Sequence, residues 1–95
     1  MPFPTQTARA FTRANVEALN PSQYGCYGLF RDRGPWIYIG KGDIRQRLLD
    51  HLNGDNPCIT RENPTHWYDE VTSNADAREK QLIVELNPIC NRRVG

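Results

Sequence analysis

The residues that decide the fold are YGCYGLF (24–30) and WIYI (36–39), two β-rich runs separated by the turn-forming sequence RDRGP (31–35). Such runs on either side of a Gly-Pro turn predict a β-hairpin. Each run places a tyrosine close to a glycine, although glycine weakens a strand interior and a buried phenol needs a hydrogen-bond partner. The repeat is compatible with a stable packed hairpin or with two phenols directed at a substrate.

Outward from this hairpin, the sequence predicts further helices and one more strand. Asp43 suits a helix N-cap and Gly54 suits the end of the same helix, while Ser73 or Asn74 suits the start of a later one. The elements predicted in chain order are a short helix in TRANVEAL (12–19), the hairpin, a helix in IRQRLLDHLN (44–53), a loop over 54–64, a strand in THWYDEV (65–71), a helix in ADAREKQLIVEL (75–86) and a short extended tail over 87–95. This order predicts an α+β fold in which helices flank a small, three-stranded, largely antiparallel sheet.

Length and composition indicate one globular domain. The chain has 95 residues, a formal net charge of +1, and 38% hydrophobic against 24% charged residues, which is ordinary for a folded domain. We expect this domain over 23–95, preceded by an N-terminal extension with a short helix over 1–22. No apolar run reaches the length of a membrane span and no segment resembles a secretory signal, so we expect a cytoplasmic protein with no membrane partner.

The cysteines are Cys26, Cys58 and Cys90. Their odd number, wide separation and lack of a C-x-x-C spacing argue against a disulfide framework and against a zinc site. We therefore expect reduced, mostly buried thiols. A metal site built from His51, Cys58 and His66 is also disfavoured, because these spacings fit no compact metal centre.

Charged residues interrupt the apolar faces of both long helices. Glu79 lies one turn before Leu82 and Ile83, so it is either a site residue or a first-turn carboxylate that faces solvent and complements the helix dipole. Arg47 and His51 are one turn apart and project in the same direction. They flank the leucine face of the first long helix, where helical periodicity alone favours a solvated edge.

Lys41 stands between two glycines, immediately before a predicted helix. The spacing is not that of a nucleotide-binding P-loop, but a lysine and backbone N–H groups at a helix start suit an anion. The sequence thus offers two tyrosines, Lys41, Arg47, His51 and Glu79. Phosphodiester cleavage requires such cations and a carboxylate, because a divalent metal needs an oxygen ligand and an arginine stabilises the developing negative charge.

These residues fall in an order that resembles the GIY-YIG nuclease family, which includes excision-repair nucleases and phage homing endonucleases. Gly25-Cys26-Tyr27 and Tyr38-Ile39-Gly40 resemble the two motifs that name the family, with ten residues between them. RLLDH (47–51) resembles its arginine–histidine motif, and EKQLIVELNPICN (79–91) resembles its glutamate–asparagine motif. The departures are a cysteine in place of the middle isoleucine and a stretch from Gly40 to Arg47 that is one residue shorter than in the excision-repair nucleases.

The resemblance implies a compact α/β sandwich and a metal-dependent endonuclease that hydrolyses DNA phosphodiester bonds to 5′-phosphate and 3′-hydroxyl ends. Glu79 would be the sole protein ligand of one Mg²⁺ or Mn²⁺ ion. Arg47 and Lys41 would bind the substrate phosphate. Tyr27 and Tyr38 would orient or deprotonate the attacking water. The supporting residues would be His51 as a relay, with Gly40 and Asn91 holding the site.

The resemblance also sets expectations about partners. We expect DNA as the substrate, with little sequence specificity and a preference for nicked, branched or single-stranded forms, since the chain shows no appended DNA-reading motif. Such an activity would suit DNA repair or recombination. A monomer is favoured over a dimer, and a protein partner that supplies specificity is left open. The alternative is a catalytically inactive nucleic-acid-binding or protein-interaction module of the same fold.

Overall fold

The structure, a computed structural model, describes residues 3–91. Its elements are β1 (Arg9–Ala10), α1 (Arg13–Glu17), β2 (Tyr24–Phe30), β3 (Trp36–Asp43), α2 (Ile44–Leu52), α3 (Pro57–Glu62), β4 (His66–Val71), α4 (Ala75–Leu86) and a final 3₁₀ turn (Ile89–Asn91). The strands form one antiparallel, four-stranded sheet in the order β1-β4-β2-β3. The α+β class predicted from the sequence is confirmed.

The sheet has one strand more than the three that the sequence predicts. The additional strand, β1, is two residues long and pairs with β4, where Arg9 lies opposite Trp67. A strand this short shows no alternation of polar and apolar residues. It is recognised as a strand only from its pairing with β4. The segment over 1–22, expected as an extension with a short helix, contains that helix as α1, and in its described part Phe3 and Val16 are buried.

The sheet separates two apolar layers, because its central strand β2 buries residues on both faces. Tyr27 and Leu29 share one cluster with residues of α1, α2 and α3. Cys26 shares the other cluster with Ala75 and Leu82 of α4. Successive strand residues point to opposite faces of a sheet, so α1, α2 and α3 cover one side and α4 covers the other.

An irregularity in the pairing of β2 with β3 determines which face of the sheet Tyr38, the tyrosine of the second motif, points to. Leu29 lies opposite Tyr38, but the next residue, Phe30, lies opposite Trp36. Ile37 is therefore the extra residue of a β-bulge, and both Ile37 and Tyr38 pack on the α2 side. Simple alternation would place Trp36 and Tyr38 on one face, whereas Trp36 packs on the α4 side.

The ends of the two long helices follow the capping signals. Asp43 accepts a hydrogen bond from Gln46 N at 3.2 Å and is the predicted N-cap of α2. Gly54 follows this helix with φ +84°, a conformation that glycine adopts without strain. Asn74 precedes α4, although its side chain makes no capping hydrogen bond. Among the helices of residues 3–91, none has the length and apolar character to cross a membrane.

Two expectations about irregular segments are wrong. The expected loop over 54–64 contains α3, which Asn56 caps and Pro57 begins. Asparagine followed by proline is a typical helix start, but the six residues of α3 are too few to show helical periodicity. The tail was expected to be extended but forms the 3₁₀ turn Ile89–Asn91, and its remainder, 92–95, lies outside the described residues.

The expectation of reduced thiols is correct for Cys26 alone. Cys58 of α3 and Cys90 of the 3₁₀ turn form a disulfide, with Cα atoms 5.7 Å apart and a sequence separation of 32. Their contact depends on how the tail folds back onto α3, which no local spacing rule reports. Cys26 is a buried free thiol, its Sγ 3.4 Å from Ala75 O, and burial raises its pKa to about 11.

Candidate functional site

The two motif tyrosines lie on the same face of the hairpin. Tyr27 is opposite Gly40 in the strand register, and Tyr38 precedes Gly40 by two residues. The two ring centroids are 6.3 Å apart. A Cβ atom at position 40 would lie 2.3 Å from the Tyr27 hydroxyl oxygen, far inside the contact distance of packed atoms. Gly40 therefore leaves the space that the Tyr27 phenol occupies.

His51 of α2 closes this aromatic group. It is only 4% exposed, and its ring centroid lies 5.6 Å from that of Tyr27 and 5.2 Å from that of Tyr38. Its Nε2 is 2.6 Å from Tyr27 Oη, and its Nδ1 is 2.7 Å from Asp55 Oδ1. Burial lowers the pKa of His51, although the Asp55 carboxylate opposes the shift. The solvated edge favoured by helical periodicity is therefore wrong for His51.

Arg47 lies one turn before His51 and is anchored by its neighbours. Its Nη1 is 3.1 Å from Asp50 Oδ2 and its Nη2 is 3.9 Å from Asp55 Oδ2. The charge of the guanidinium also opposes the rise that burial causes in the pKa of the Tyr27 phenol. Its side chain passes over Gly42, where a Cβ would lie 3.2 Å from Arg47 Cγ. Because the side chain is 39% exposed, Arg47 is held on one side and open to solvent on the other.

Lys41 and Glu79 meet on the other side of the sheet. Lys41 is opposite Cys26, which packs against α4, and its Nζ is 3.8 Å from Glu79 Oε1. A hydrogen bond between Lys41 and Asp76 raises the pKa of the lysine and lowers the pKa of the aspartate. The Glu79 side chain is 20% exposed, so it is neither a solvated first-turn carboxylate nor a fully buried charge.

The candidate residues thus form two groups on opposite faces of β3, the outermost strand of the sheet. The α2 group comprises Tyr27, Tyr38, Arg47, His51 and Asp55. The α4 group comprises Lys41, Asp76 and Glu79. Tyr38 connects the groups, since it is half-buried and the charges of both Arg47 and Glu79 influence its pKa. The two groups adjoin at the edge of β3.

Asn91 of the 3₁₀ turn covers this edge. Its side-chain oxygen accepts a hydrogen bond from Ile39 N at 2.7 Å, and its side-chain nitrogen donates to Ile39 O at 2.9 Å. Ile39 lies between Tyr38 and Gly40 in β3, and Cys90 is tied to α3 by the disulfide. Asn91 therefore holds the strand segment that carries two of the candidate residues.

Burial distinguishes the two phenols. Tyr27 is fully buried, whereas Tyr38 is half-buried. Burial raises the pKa of both side chains, and the Arg47 guanidinium opposes the shift in each case. Both phenols are therefore neutral at pH 7, and only Tyr38 is open to solvent.

Two cavities lie away from this edge. One of about 640 Å³ is bounded by β1, α1, the segment before β2 and Asp69 of β4, and one of about 290 Å³ lies behind His51, against α3. Neither is lined by Tyr38, Arg47 or Glu79. An open surface suits the backbone of a polymer, whereas small molecules are usually bound in enclosed clefts.

Sequence reasoning missed the partners of the charged residues. Asp50 follows Arg47 by three residues within one helix, and this spacing predicts their contact. Asp55 lies beyond the end of α2, where helical spacing no longer applies. Asp76 meets Lys41 only because α4 packs against β3.

The donor set can be tested against the single Mg²⁺ or Mn²⁺ ion that the resemblance implies. Residues 3–91 contain no cluster of three or more His, Cys, Asp or Glu side chains suited to a metal. Mg²⁺ often takes only one or two carboxylates and fills its other positions with water and substrate phosphate oxygens. One half-buried carboxylate, that of Glu79, on an open surface fits this mode of binding.

Comparison with known proteins adds no assignment. No protein-family model matches the chain, and no curated protein matches it. A function must therefore be inferred from the motifs and from the geometry at the edge of β3.

Proposed function

We propose that the chain is a divalent-metal-dependent endonuclease of the GIY-YIG type that hydrolyses DNA phosphodiester bonds to 5′-phosphate and 3′-hydroxyl ends. The observation that carries the proposal is the position of Tyr38. This half-exposed phenol lies on β3 with its ring centroid 5.2 Å from that of His51, one helical turn after Arg47, and the same strand carries Lys41, which pairs with Glu79. Phosphodiester hydrolysis needs such an arrangement, in which a water-orienting group lies near a phosphate-binding cation and a metal-binding carboxylate.

Arg47 and Lys41 would hold the scissile phosphate. Asp50 occupies one nitrogen of the Arg47 guanidinium, and a guanidinium has five N–H donors, so donors remain for phosphate oxygens. The ammonium of Lys41 pairs with carboxylates in the free protein. In the free protein, Asp76 and Glu79 would hold the Lys41 ammonium at the site. A bound phosphate would then replace these carboxylates as its partner.

Glu79 would hold the Mg²⁺ or Mn²⁺ ion through its carboxylate oxygens. A bound divalent ion supplies Lewis-acid stabilisation of the charge that builds up on the phosphoryl oxygens.

Tyr38 is the phenol that would act on the attacking water. Tyr27 is fully buried, and its hydroxyl is already hydrogen-bonded to His51. The neutral Tyr38 hydroxyl would orient a water molecule toward the phosphorus atom. Removal of a proton from that water needs the phenolate, and burial raises the pKa of Tyr38. Cleavage should therefore become faster as the pH rises above neutral.

DNA binding by this domain should be weak and sensitive to salt. The formal net charge is only +1, so affinity would come from a few phosphate contacts around Arg47 and Lys41. Such contacts carry no base information. We propose nicked, branched or single-stranded DNA as substrates, in repair or recombination, with a monomer as the active form.

The test is a cleavage assay on plasmid and branched DNA with Mg²⁺ or Mn²⁺. Wild type should cut both, and Glu79→Gln should be about 10²- to 10³-fold slower, the typical cost of losing one main transition-state stabiliser. Glu85→Gln is the matched control, because residue 85 is exposed and lies on another face of α4.

Failure of the wild type to cut any nucleic acid with either metal would defeat the endonuclease proposal. Binding without cleavage would favour the alternative of an inactive nucleic-acid-binding module. Undiminished cleavage by Glu79→Gln would show that the metal ligand is assigned wrongly.

A further inference from the structure

Asp55 is an acidic residue at an electrostatically unfavourable position. It follows the C-terminal end of α2, which ends at Leu52, and the end of a helix carries a partial negative charge that favours cations. The Asp55 side chain is nevertheless only 35% exposed, and its Oδ1 lies 2.7 Å from His51 Nδ1. A carboxylate that served only solubility would point to water instead.

The contact with Asp55 determines where His51 carries its hydrogen. An ionised carboxylate only accepts hydrogen bonds, and a neutral imidazole has one donor and one acceptor nitrogen. Asp55 therefore requires the hydrogen on Nδ1. Nε2 is then an acceptor, and Tyr27 donates its hydroxyl hydrogen across the 2.6 Å that separates the two atoms. Burial lowers the pKa of His51, which keeps the ring neutral at pH 7.

The direction of the Tyr27 O–H bond determines whether the phenol oxygen can accept a hydrogen bond from the Arg47 guanidinium. The guanidinium has donors and no acceptor, and it is close enough to the Tyr27 phenol for its charge to oppose the rise in that group's pKa. When the hydroxyl hydrogen points to His51, the oxygen lone pairs remain available to Arg47. In the opposite tautomer, Nε2–H would occupy a lone pair, and the hydroxyl hydrogen would turn toward the Arg47 donors.

We propose that Asp55 is a positioning residue that selects the Nδ1–H tautomer of His51 and keeps the Arg47 guanidinium in place, both through the Tyr27 hydroxyl and through its own contact with Arg47 Nη2 at 3.9 Å. The groups that face His51 are Tyr27 from β2, Tyr38 from β3, Arg47 and Asp50 from its own helix, and Asp55 from the loop after it. The effect on cleavage rests on the proposed endonuclease function, whereas the tautomer is independent of that function.

The tautomer is measured by nitrogen NMR on the full chain labelled with ¹⁵N-histidine. The chain has two histidines, so His66→Gln identifies the signals of His51. Wild type should show a pyrrole-like Nδ1 and a pyridine-like Nε2. Asp55→Ala should shift both signals toward averaged values, while Asp55→Asn should largely retain the wild-type pattern, because its amide oxygen still accepts.

Asp50→Asn is the matched control for this measurement. Asp50 pairs with Arg47 at 3.1 Å, so its substitution weakens the same arginine without removing the hydrogen-bond partner of His51. The His51 signals of Asp50→Asn should match those of wild type. A pyridine-like Nδ1 in the wild type, or unchanged signals in Asp55→Ala, overturns the proposal.

Cleavage kinetics test the connection to Arg47. We expect Asp55→Ala to lower kcat/KM about 10- to 100-fold, the usual cost of removing an outer residue that orients a ligand-binding one. Asp55→Asn should recover most of this loss. Wild-type kinetics in Asp55→Ala, together with a shifted tautomer, would overturn the connection. If the wild type cuts no DNA, the proposed function fails, and the NMR signals still decide the tautomer.

Discussion

The α2 group and the α4 group lie on opposite faces of the same strand, but they are held in different ways. In the α2 group, Tyr27 and His51 are buried and hydrogen-bonded to each other, and residues 3–91 contain no buried side-chain nitrogen or oxygen without a partner. In the α4 group, Lys41 and Asp76 form an exposed ion pair. Folding therefore fixes the first half of the candidate site, whereas whatever binds there must order the second half.

The largest expected effect comes from removing the cation of the α2 group. Arg47→Ala should lower kcat/KM for DNA cleavage about 10²- to 10³-fold, because the residue stabilises transition-state charge from a pre-formed position. Steady-state kinetics on a nicked or branched duplex measure this loss. Arg45→Ala removes the same charge from the same helix and should cut at nearly the wild-type rate. Equal rates for the two variants would contradict the role given to Arg47.

The next effect in size should be the contribution of the disulfide to the free energy of unfolding. Its two cysteines are separated by 32 positions, and the loop-entropy model for a bridge of this span predicts a stabilisation of about 3 to 4 kcal/mol. The double variant Cys58→Ser, Cys90→Ser should lose this amount in urea unfolding. Adding a reductant should bring the wild type to the same stability and leave the double variant unchanged. If the reductant also lowered the free energy of unfolding of the double variant, the loss in the wild type could not be assigned to the disulfide.

A smaller effect is expected where the strand passes under the buried phenol. Gly40→Ala should cost about 1 to 3 kcal/mol of unfolding free energy, the usual range for overpacking, because the hydrogen bond to His51 holds the Tyr27 ring where the new methyl group would lie. Asp76→Asn in the α4 group is the contrasting variant, since an exposed ion pair contributes little. The midpoint of its urea unfolding should equal that of the wild type. If Asp76→Asn were the more damaging change, the contrast between the two groups would be wrong.

The smallest effect should appear as a pH dependence of stability. The unfolded chain binds a proton at His51 with the ordinary pKa of 6.5, whereas burial lowers the pKa of His51 in the folded protein. The unfolded state thus binds more protons below about pH 6.5, so the free energy of unfolding should fall as the pH drops from there through the folded pKa. Urea titrations at several pH values should show this fall in wild type and in His66→Gln, and less of it in His51→Gln.

The sequence predicts those parts of the fold that have a local signal. Two β-rich runs and a Gly-Pro turn define the hairpin, and Asp43 caps the start of α2 as expected. The parts that it misses are short or depend on distant contacts. The strand β1 and the helix α3 are too brief for periodicity, and the disulfide forms only once the tail folds back onto α3.

The candidate site shows the same division. The sequence identifies Arg47 and His51 as polar residues beside an apolar face, but helical periodicity alone describes them as a solvated edge. His51 is buried because Tyr27 and Tyr38 cover it from two strands, and one helix cannot report what packs against it. Asp55 is missed for a related reason, since it reaches His51 from outside the helix.

The hydrogen bonds of Asn91 affect whether β3 can pair with a strand of a second molecule. β3 is an outer strand, and the unpaired backbone groups of such a strand are a template for pairing with another chain. The Asn91 side chain satisfies both the N–H and the C=O of Ile39, as a neighbouring strand would. One amide thus occupies the edge of β3 at Ile39, and a protein whose tail came loose would offer this part of the strand to a second molecule as a template for aggregation.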